Sequence, residues 1–313
     1  MRGNTGLKKR KLRQRCEYKG KEKNLASFRT VGKGFAMEDV QNLLDQRGIE
    51  IQRVGVKEVH LPFLIATRDG GYQQILGKIT AAVNLPKQYK GTHLSRFMEV
   101  LVAWGDKPIS GRELKLMLME LKTRLKASAA DLSLDFRYFM PVTAPVSGLT
   151  SPLDFSCQFW GRLTEAGYDF RLTVHVPVVS LCPCSKAISR YGAHNQRAVI
   201  RAAVRCQPGS YLWIEDLILL LRRQGSSCVY PVLKREDEKF VTEEAYDHPK
   251  FVEDILRDSV LALRREPKVS WFRLEVESFE SIHNHSAFAY CEEETASLHH
   301  GVNGQNSQSS PGG

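Results

Sequence analysis

Residues 54–85 read VGVKEVHLPFLIATRDGGYQQILGKITAAVNL. Two runs rich in β-branched and other apolar residues, roughly 54–67 and 72–85, flank the turn signal Asp69-Gly70-Gly71, so the segment predicts a β-hairpin. A hairpin joins antiparallel strands. Upstream, Asp39 to Arg47 has Val40, Leu43 and Leu44 on one side and Gly48 as a stop, which predicts a short helix. Downstream, Leu94, Phe97, Val100 and Leu101 fall at helical spacing. Ser110 and Glu113 form a capping box, in which the hydroxyl and the carboxylate each take a free backbone amide. It opens a helix with Leu114, Leu118, Leu121 and Leu125 on one face. Leu132, Leu134, Phe136 and Tyr138 then alternate as a strand, and 153–163 is another.

The order then recurs. Residues 168–176 and 198–206 read as strands, 212–223 and 249–264 as helices, and 272–276 and 285–291 as strands. The series is ββααββ twice, without a residue-level repeat. Tight turns imply antiparallel sheets with the helices on one face, an α+β fold. The expected organisation is a first unit at 37–165 and a second at 166–293, the latter with most of the chemistry. Residues 1–36 are expected to be a disordered basic extension, and 294–313 a disordered tail of His, Gly, Asn, Gln, Ser and Pro.

The 313 residues carry 45 Lys and Arg against 35 Asp and Glu, a net charge of +10. Residues 1–33 contain 12 basic and two acidic residues, which is the whole excess. The rest of the chain is neutral, so its body is not built for a phosphate backbone. No run reaches the ~18 apolar residues of a membrane helix, because Glu215 and Asp216 interrupt the best one, 212–221. No apolar segment follows the first basic residues, so a secretory signal is not expected. Seven Cys without regular spacing point to a reducing compartment, hence a cytoplasmic protein.

The residues able to hold a metal or attack a substrate gather in three places: Ser180 to Lys186 with His194 to Arg197, then Lys234 to Glu236, then Glu280 to His285. Cys182 and Cys184 flank Pro183 just past a strand. A C-x-C is a poor tetrahedral chelate alone, so one Cys as ligand and the other as a reactive thiol fits better. Lys186 nearby favours thiolate. Two buried free cysteines are the competing reading. His283 and His285, two apart, share a face if they lie on a strand. A catalytic zinc site needs three protein ligands and an open position. A Cys, a His and a carboxylate supply them, and the remaining His, Cys and Glu side chains can move protons. Glu236 lies in a charged stretch that also reads as a solvated loop.

The motifs SLCPCSK, GAHNQR, SFESIHNHSA and KGTHLSRF, in this chain at 180–186, 192–197, 278–287 and 90–97, resemble those of the prokaryotic type IB GTP cyclohydrolases. The resemblance runs from about Glu38 to Cys291. It implies the tunnelling fold with two tandem ββααββ units, and a homotetramer with active sites between subunits. It implies conversion of GTP and water to 7,8-dihydroneopterin triphosphate and formate, the first step toward tetrahydrofolate and a source of 7-deazaguanines. By resemblance, Cys182, His194 and Glu236 hold a divalent metal, Zn²⁺ or Mn²⁺ with Fe²⁺ as a third candidate. Cys184, Glu280, His283 and His285 complete the catalytic set with Cys182. The division of roles between His194 and the His283/His285 pair stays open.

By the same resemblance Glu253 anchors the purine. A water whose pKa the metal lowers toward ~7 is an adequate nucleophile for guanine C8. A neutral body that binds a triphosphate needs a local basic cluster. Lys90, His93 and Arg96 are the first candidates, with Lys186 and Arg197 next. Family-like sequence begins at Met37, which is therefore expected to be the functional start. Another tunnelling-fold enzyme acting on a purine or pterin is one alternative. A nucleic-acid-binding protein using the basic arm is a second, of a different class. Neither a membrane nor a specific nucleic acid is expected as a partner.

Overall fold

A computed structural model describes residue 41 and residues 43–295. The expectations for residues 1–36, for Met37 as the start and for 296–313 lie outside the described residues. Strands β1 (Ile51–Ala66) and β2 (Tyr72–Leu85) form the first hairpin. Its turn closes through Thr67 N to Gly71 O and Gly70 N to Thr67 O, both 3.1 Å. Gly70 sits at φ +83°, which a residue with a side chain rarely adopts. Next come α1 (Leu94–Ala103), β3 (Pro108–Ile109), α2 (Gly111–Leu125), β4 (Ala130–Thr143), β5 (Thr150–Thr164) and β6 (Gly167–Leu181). The second half continues with α3 (Pro183–Ile188), β7 (Asn195–Cys206), α4 (Ile214–Arg222), β8 (Ser227–Cys228), α5 (Arg235–Asp247), α6 (Val252–Arg264), β9 (Val269–Phe279) and β10 (Ser286–Glu294).

All the strands belong to one sheet, in the order β10-β9-β7-β6-β5-β4-β2-β1-β3, with β8 on β6. Every pairing is antiparallel except the short β1–β3 contact. Helices insert after β2 and after β7, so the strand-strand-helix-strand-strand order occurs twice along a continuous sheet. The fold is α+β with its helices on one face.

The strand alternation separates the faces. On β6 Leu172, Val174, Val176 and Val178 are buried, and on β7 Ala198, Ile200 and Ala202. They face the stripe Leu114, Met117, Leu118 and Leu121 of α2 and Ile255, Val260 and Leu263 of α6 in one core. Burying one such Leu contributes roughly 2–3 kcal/mol. The helix approaches closely: a Cβ at Gly161 of β5 would stand 2.9 Å from Leu114 Cδ2. The capping box of α2 forms, with Arg112 N on Ser110 Oγ at 3.2 Å and Ser110 N on Glu113 Oε2 at 3.1 Å. The other face of the sheet is polar. The row His60, Lys78, Asp135, Gln158 and Thr173 crosses five strands by direct pairing. At the junction of the halves Glu215, at the start of α4, accepts from Tyr138 Oη of β4 at 2.6 Å and from Arg68 N at 3.0 Å.

Three expectations need correction. The helix expected over Asp39–Arg47 is not found at 43–47, where the backbone pairs with the 88–91 loop instead. Asp45 N donates to Gln88 O, Lys90 N to Leu43 O and Gly91 N to Gln41 O. The charged stretch after Lys234 is helix α5, not a loop. Its first turn is latched by buried Asp237, which takes amides from Lys234, Val146 and Ser147 at 2.9 Å and the Ser147 hydroxyl at 2.6 Å. The interval between β7 and β9 therefore holds three helices rather than two. Among the described residues no helix is long and apolar enough to cross a membrane.

Candidate active site

The site grows out of the β6–β7 register. Ser180 pairs with Gln196 and Val178 with Ala198. One step further, Cys182 N donates to His194 O at 3.1 Å, extending the ladder past the strand ends. Alternation then puts Ser180, Cys182, His194 and Gln196 on the face that carries the core. Pairing of Ala198 with Ser278 brings β9 alongside, so Glu280 lands next to Gln196. Polar residues thus replace apolar ones where the core face runs out. They line a cavity of about 230 Å³ together with Lys250, Phe251, Val252, Glu253, His283 and Ala287.

Local chemistry fixes each group. Pro183 starts α3 and Cys182 caps it, its Sγ accepting Ser185 N at 3.4 Å. Ser185 Oγ donates to Cys182 O at 3.1 Å and accepts from His194 N at 3.2 Å, clipping the two motif ends together. His194 Nδ1 stands 3.0 Å from Gln196 Oε1, and Gln196 Nε2 donates to Glu280 Oε1 at 3.3 Å. The opposite wall is pinned by Lys250 N on Leu181 O and Ser180 Oγ on Lys250 O, each 3.0 Å. The Lys250 ammonium is held by Asp258 at 2.8 Å and Gln224 O at 2.9 Å. Glu253 lies in the first turn of α6, where the helix dipole favours a carboxylate.

The fold therefore brings Cys182, His194, Glu253, Glu280 and His283 to one cavity. His285 stacks on His283, ring centroids 5.2 Å apart and planes 13° apart. Both lie in the β9–β10 turn rather than on a strand, since β10 begins at Ser286. Cys184 is exposed on α3 and does not line the cavity. Glu236 is exposed in the first turn of α5, also outside the lining. Lys186 turns to α5, bonding Tyr246 O with its ammonium 4.2 Å over the Tyr246 ring. Arg197 is on the opposite face of β7 from Gln196. Lys90, His93 and Arg96 follow β2, which runs antiparallel to β6 across the intervening strands, so they sit at the other end of the sheet. Arg96 there donates to Arg124 O at 3.2 Å.

Two residues of this network, Ser185 and Gln196, were not among the sequence candidates. The signal for Gln196 was present: it stands two residues after His194 and so shares its face. All six described cysteines are free. Burial pushes the thiols of Cys157, Cys206 and Cys228 up and keeps them protonated, whereas Cys182 opens to a cavity.

A divalent metal fits part of this set. A thiol and an imidazole whose Nδ1 already has an amide partner are donors that suit Zn²⁺. Among the described residues, no three His, Cys, Asp or Glu side chains converge closely enough to enclose one ion.

The chain matches the family model described as type I GTP cyclohydrolase folE2 over residues 37–289. It is 48% identical over 256 residues to the GTP cyclohydrolase FolE2 of Magnetococcus marinus, covering 82% of this chain and 96% of that one. The protein of the same name in Geobacter sulfurreducens is 47% identical over 258 residues, covering 82% and 98%. In structure the chain is similar to a uricase from Arthrobacter globiformis, with a TM-score of 0.51 at 7% identity, covering 83% of this chain and 96% of that one. The uricase likeness speaks to the fold alone. The two FolE2 relatives and the family match speak to descent, and the chain belongs to the type I GTP cyclohydrolase folE2 family.

Proposed function

We propose that this protein is a metal-dependent GTP cyclohydrolase, converting GTP and water to 7,8-dihydroneopterin triphosphate and formate at the cavity of Cys182 and His194. The single observation that carries this is the convergence of three motifs, distant in sequence, on one cavity at the ends of β6, β7 and β9. The product feeds tetrahydrofolate or 7-deazaguanine synthesis, and the enzyme works in the cytoplasm. Residues 37–165 and 166–293 act as two units, the second carrying most of the site.

Cys182 and His194 hold the metal, Zn²⁺ first and Mn²⁺ or Fe²⁺ next, with Glu236 as the carboxylate donor. Held there, a divalent ion would supply the lowering of a water's pKa that attack on guanine C8 near neutral pH needs. The chain's residues do the rest. The Glu253 carboxylate accepts the N–H donors of the purine edge and orients the ring. Glu280 and His283, on the same cavity, deliver and remove protons as the imidazole ring opens and the formyl group leaves. His285, stacked on His283, orients it, and Cys184 approaches the purine end from the rim.

Lys90, His93 and Arg96 lie at the far end of the sheet, so within one chain they cannot serve a triphosphate bound at Cys182. A homo-oligomer, a tetramer by resemblance, in which a neighbouring copy brings its own Lys90 group and α5 to the site, resolves this distance. It also accounts for the exposure of Glu236. The experiment is incubation with GTP and Zn²⁺ or Mn²⁺, with formate and oxidised pterin fluorescence as readouts. Equal yields of both are expected. No product with any divalent metal contradicts the proposal.

A further inference from the structure

We infer that Gln196 is a positioning residue whose single amide sets both the tautomer of His194 and the orientation of Glu280; this rests on the functional reading above. The amide bridges two groups that have opposite needs. Its Oε1 is 3.0 Å from His194 Nδ1, and its Nε2 is 3.3 Å from Glu280 Oε1. Ser281 Oγ stands 3.4 Å from the same Oε1, to which it can donate, and at a longer 3.5 Å from His194 Nδ1, where it can accept beside the amide oxygen. Turning the amide over would set its oxygen against the Glu280 carboxylate, two acceptors with no proton between them. The carboxylate therefore fixes which end of the amide meets the imidazole. An oxygen facing Nδ1 requires a proton on Nδ1. The lone pair is then on Nε2, the nitrogen left for a metal.

Register explains why this residue can do so. Gln196 is two residues from His194 on the same strand face and directly across from Ser180. It is half-buried at the point where the core row of β7 becomes polar. Gln reaches both neighbours; Asn is one methylene shorter, and Met has the length without the amide. Glu keeps an acceptor for Nδ1–H but places a second negative charge against Glu280.

The test uses the full-length protein with ¹⁵N-labelled histidine, without metal, at a pH where imidazole is neutral. The His194 resonances, identified by their loss in His194→Gln, are expected to report Nδ1–H. In Gln196→Met they are expected to move toward Nε2–H, the form that neutral imidazole side chains prefer in water. Zn²⁺ affinity, from chelator competition, should fall about 10- to 100-fold in Gln196→Met. Gln196→Glu should keep the tautomer and bind Zn²⁺ within a few-fold of wild type. Its kcat should still fall by ~10-fold or more, because the proton-transfer group Glu280 is displaced. An unchanged tautomer together with unchanged Zn²⁺ affinity in Gln196→Met overturns the inference. Wild-type protein that shows Nδ1–H but binds no Zn²⁺ or Mn²⁺ overturns the metal reading and leaves the tautomer assignment standing.

Discussion

Ser185→Ala perturbs the clip that holds the two ends of the Cys182–His194 loop. The hydroxyl makes two bonds, to Cys182 O at 3.1 Å and from His194 N at 3.2 Å. A neutral hydrogen bond contributes about 1 kcal/mol net. Ser185 is half-buried, so water can replace part of each, and a loss of about 1–2 kcal/mol is expected. For a chain of this size that lowers Tm by roughly 2–4 °C. The direct bond from Cys182 N to His194 O at 3.1 Å survives, so thiol and imidazole stay neighbours but lose their fixed separation. Loss of such outer support weakens metal binding about 10- to 100-fold. The assay is thermal melting with and without Zn²⁺, alongside chelator competition. The metal-induced rise in Tm should shrink in the variant, and Ser185→Thr should restore it. A variant that binds Zn²⁺ as wild type does, and melts at the same temperature, refutes the clip.

Three further outcomes are expected. Tyr138→Phe removes the bond to the Glu215 carboxylate between the halves and should cost about 1.5–3 kcal/mol, read as a fall in the urea midpoint; an unchanged midpoint contradicts it. For Asp237, burial alone would raise the carboxyl, but the Ser147 hydroxyl and the amides of Ser147, Lys234 and Val146 outweigh it and hold it well below the usual carboxylate range. Its stabilising contribution is therefore present above pH ~4 and lost as pH falls toward the folded value. Asp237→Ala should speed hydrogen exchange at 144–149 and in the first turn of α5, and equal exchange would remove the latch. Burial, then nearby Arg201 and Arg137, hold His175 below the ordinary imidazole value. The unfolded chain takes up this proton first, near pH 6.5, so stability should drop as pH falls below that point. His175→Gln should flatten the slope between pH 7 and 5, and an identical slope contradicts the assignment.

Much of the fold was legible because strand alternation is a local signal. The row Leu132, Leu134, Phe136 and Tyr138 and the Asp69-Gly70-Gly71 turn announce themselves without tertiary knowledge. The segment 43–47 did not, because its hydrogen bonds go to residues 88–91, forty positions away. Helix α5 hid behind its charges: its anchor is one buried carboxylate, not an apolar stripe. At the site, motif composition pointed to Cys182 and His194, and the β6–β7 register joined them. Arg197 and Lys186 were drawn in by proximity in sequence, whereas strand alternation and the α3 turn carry them elsewhere. His283 and His285 share a side by stacking in a turn, not by strand geometry.

The most direct measurement of the central claim is product stoichiometry in wild-type protein and in Cys182→Ala, each given GTP and Zn²⁺ or Mn²⁺. Cys182 lines the cavity without filling the core, so the variant should fold, losing only the thiol cap on Ser185 N. One formate per pterin is expected from wild type, and neither from Cys182→Ala, with metal binding lost. Wild-type protein that releases no formate from GTP, or a Cys182→Ala variant that turns over GTP at the wild-type rate, contradicts it.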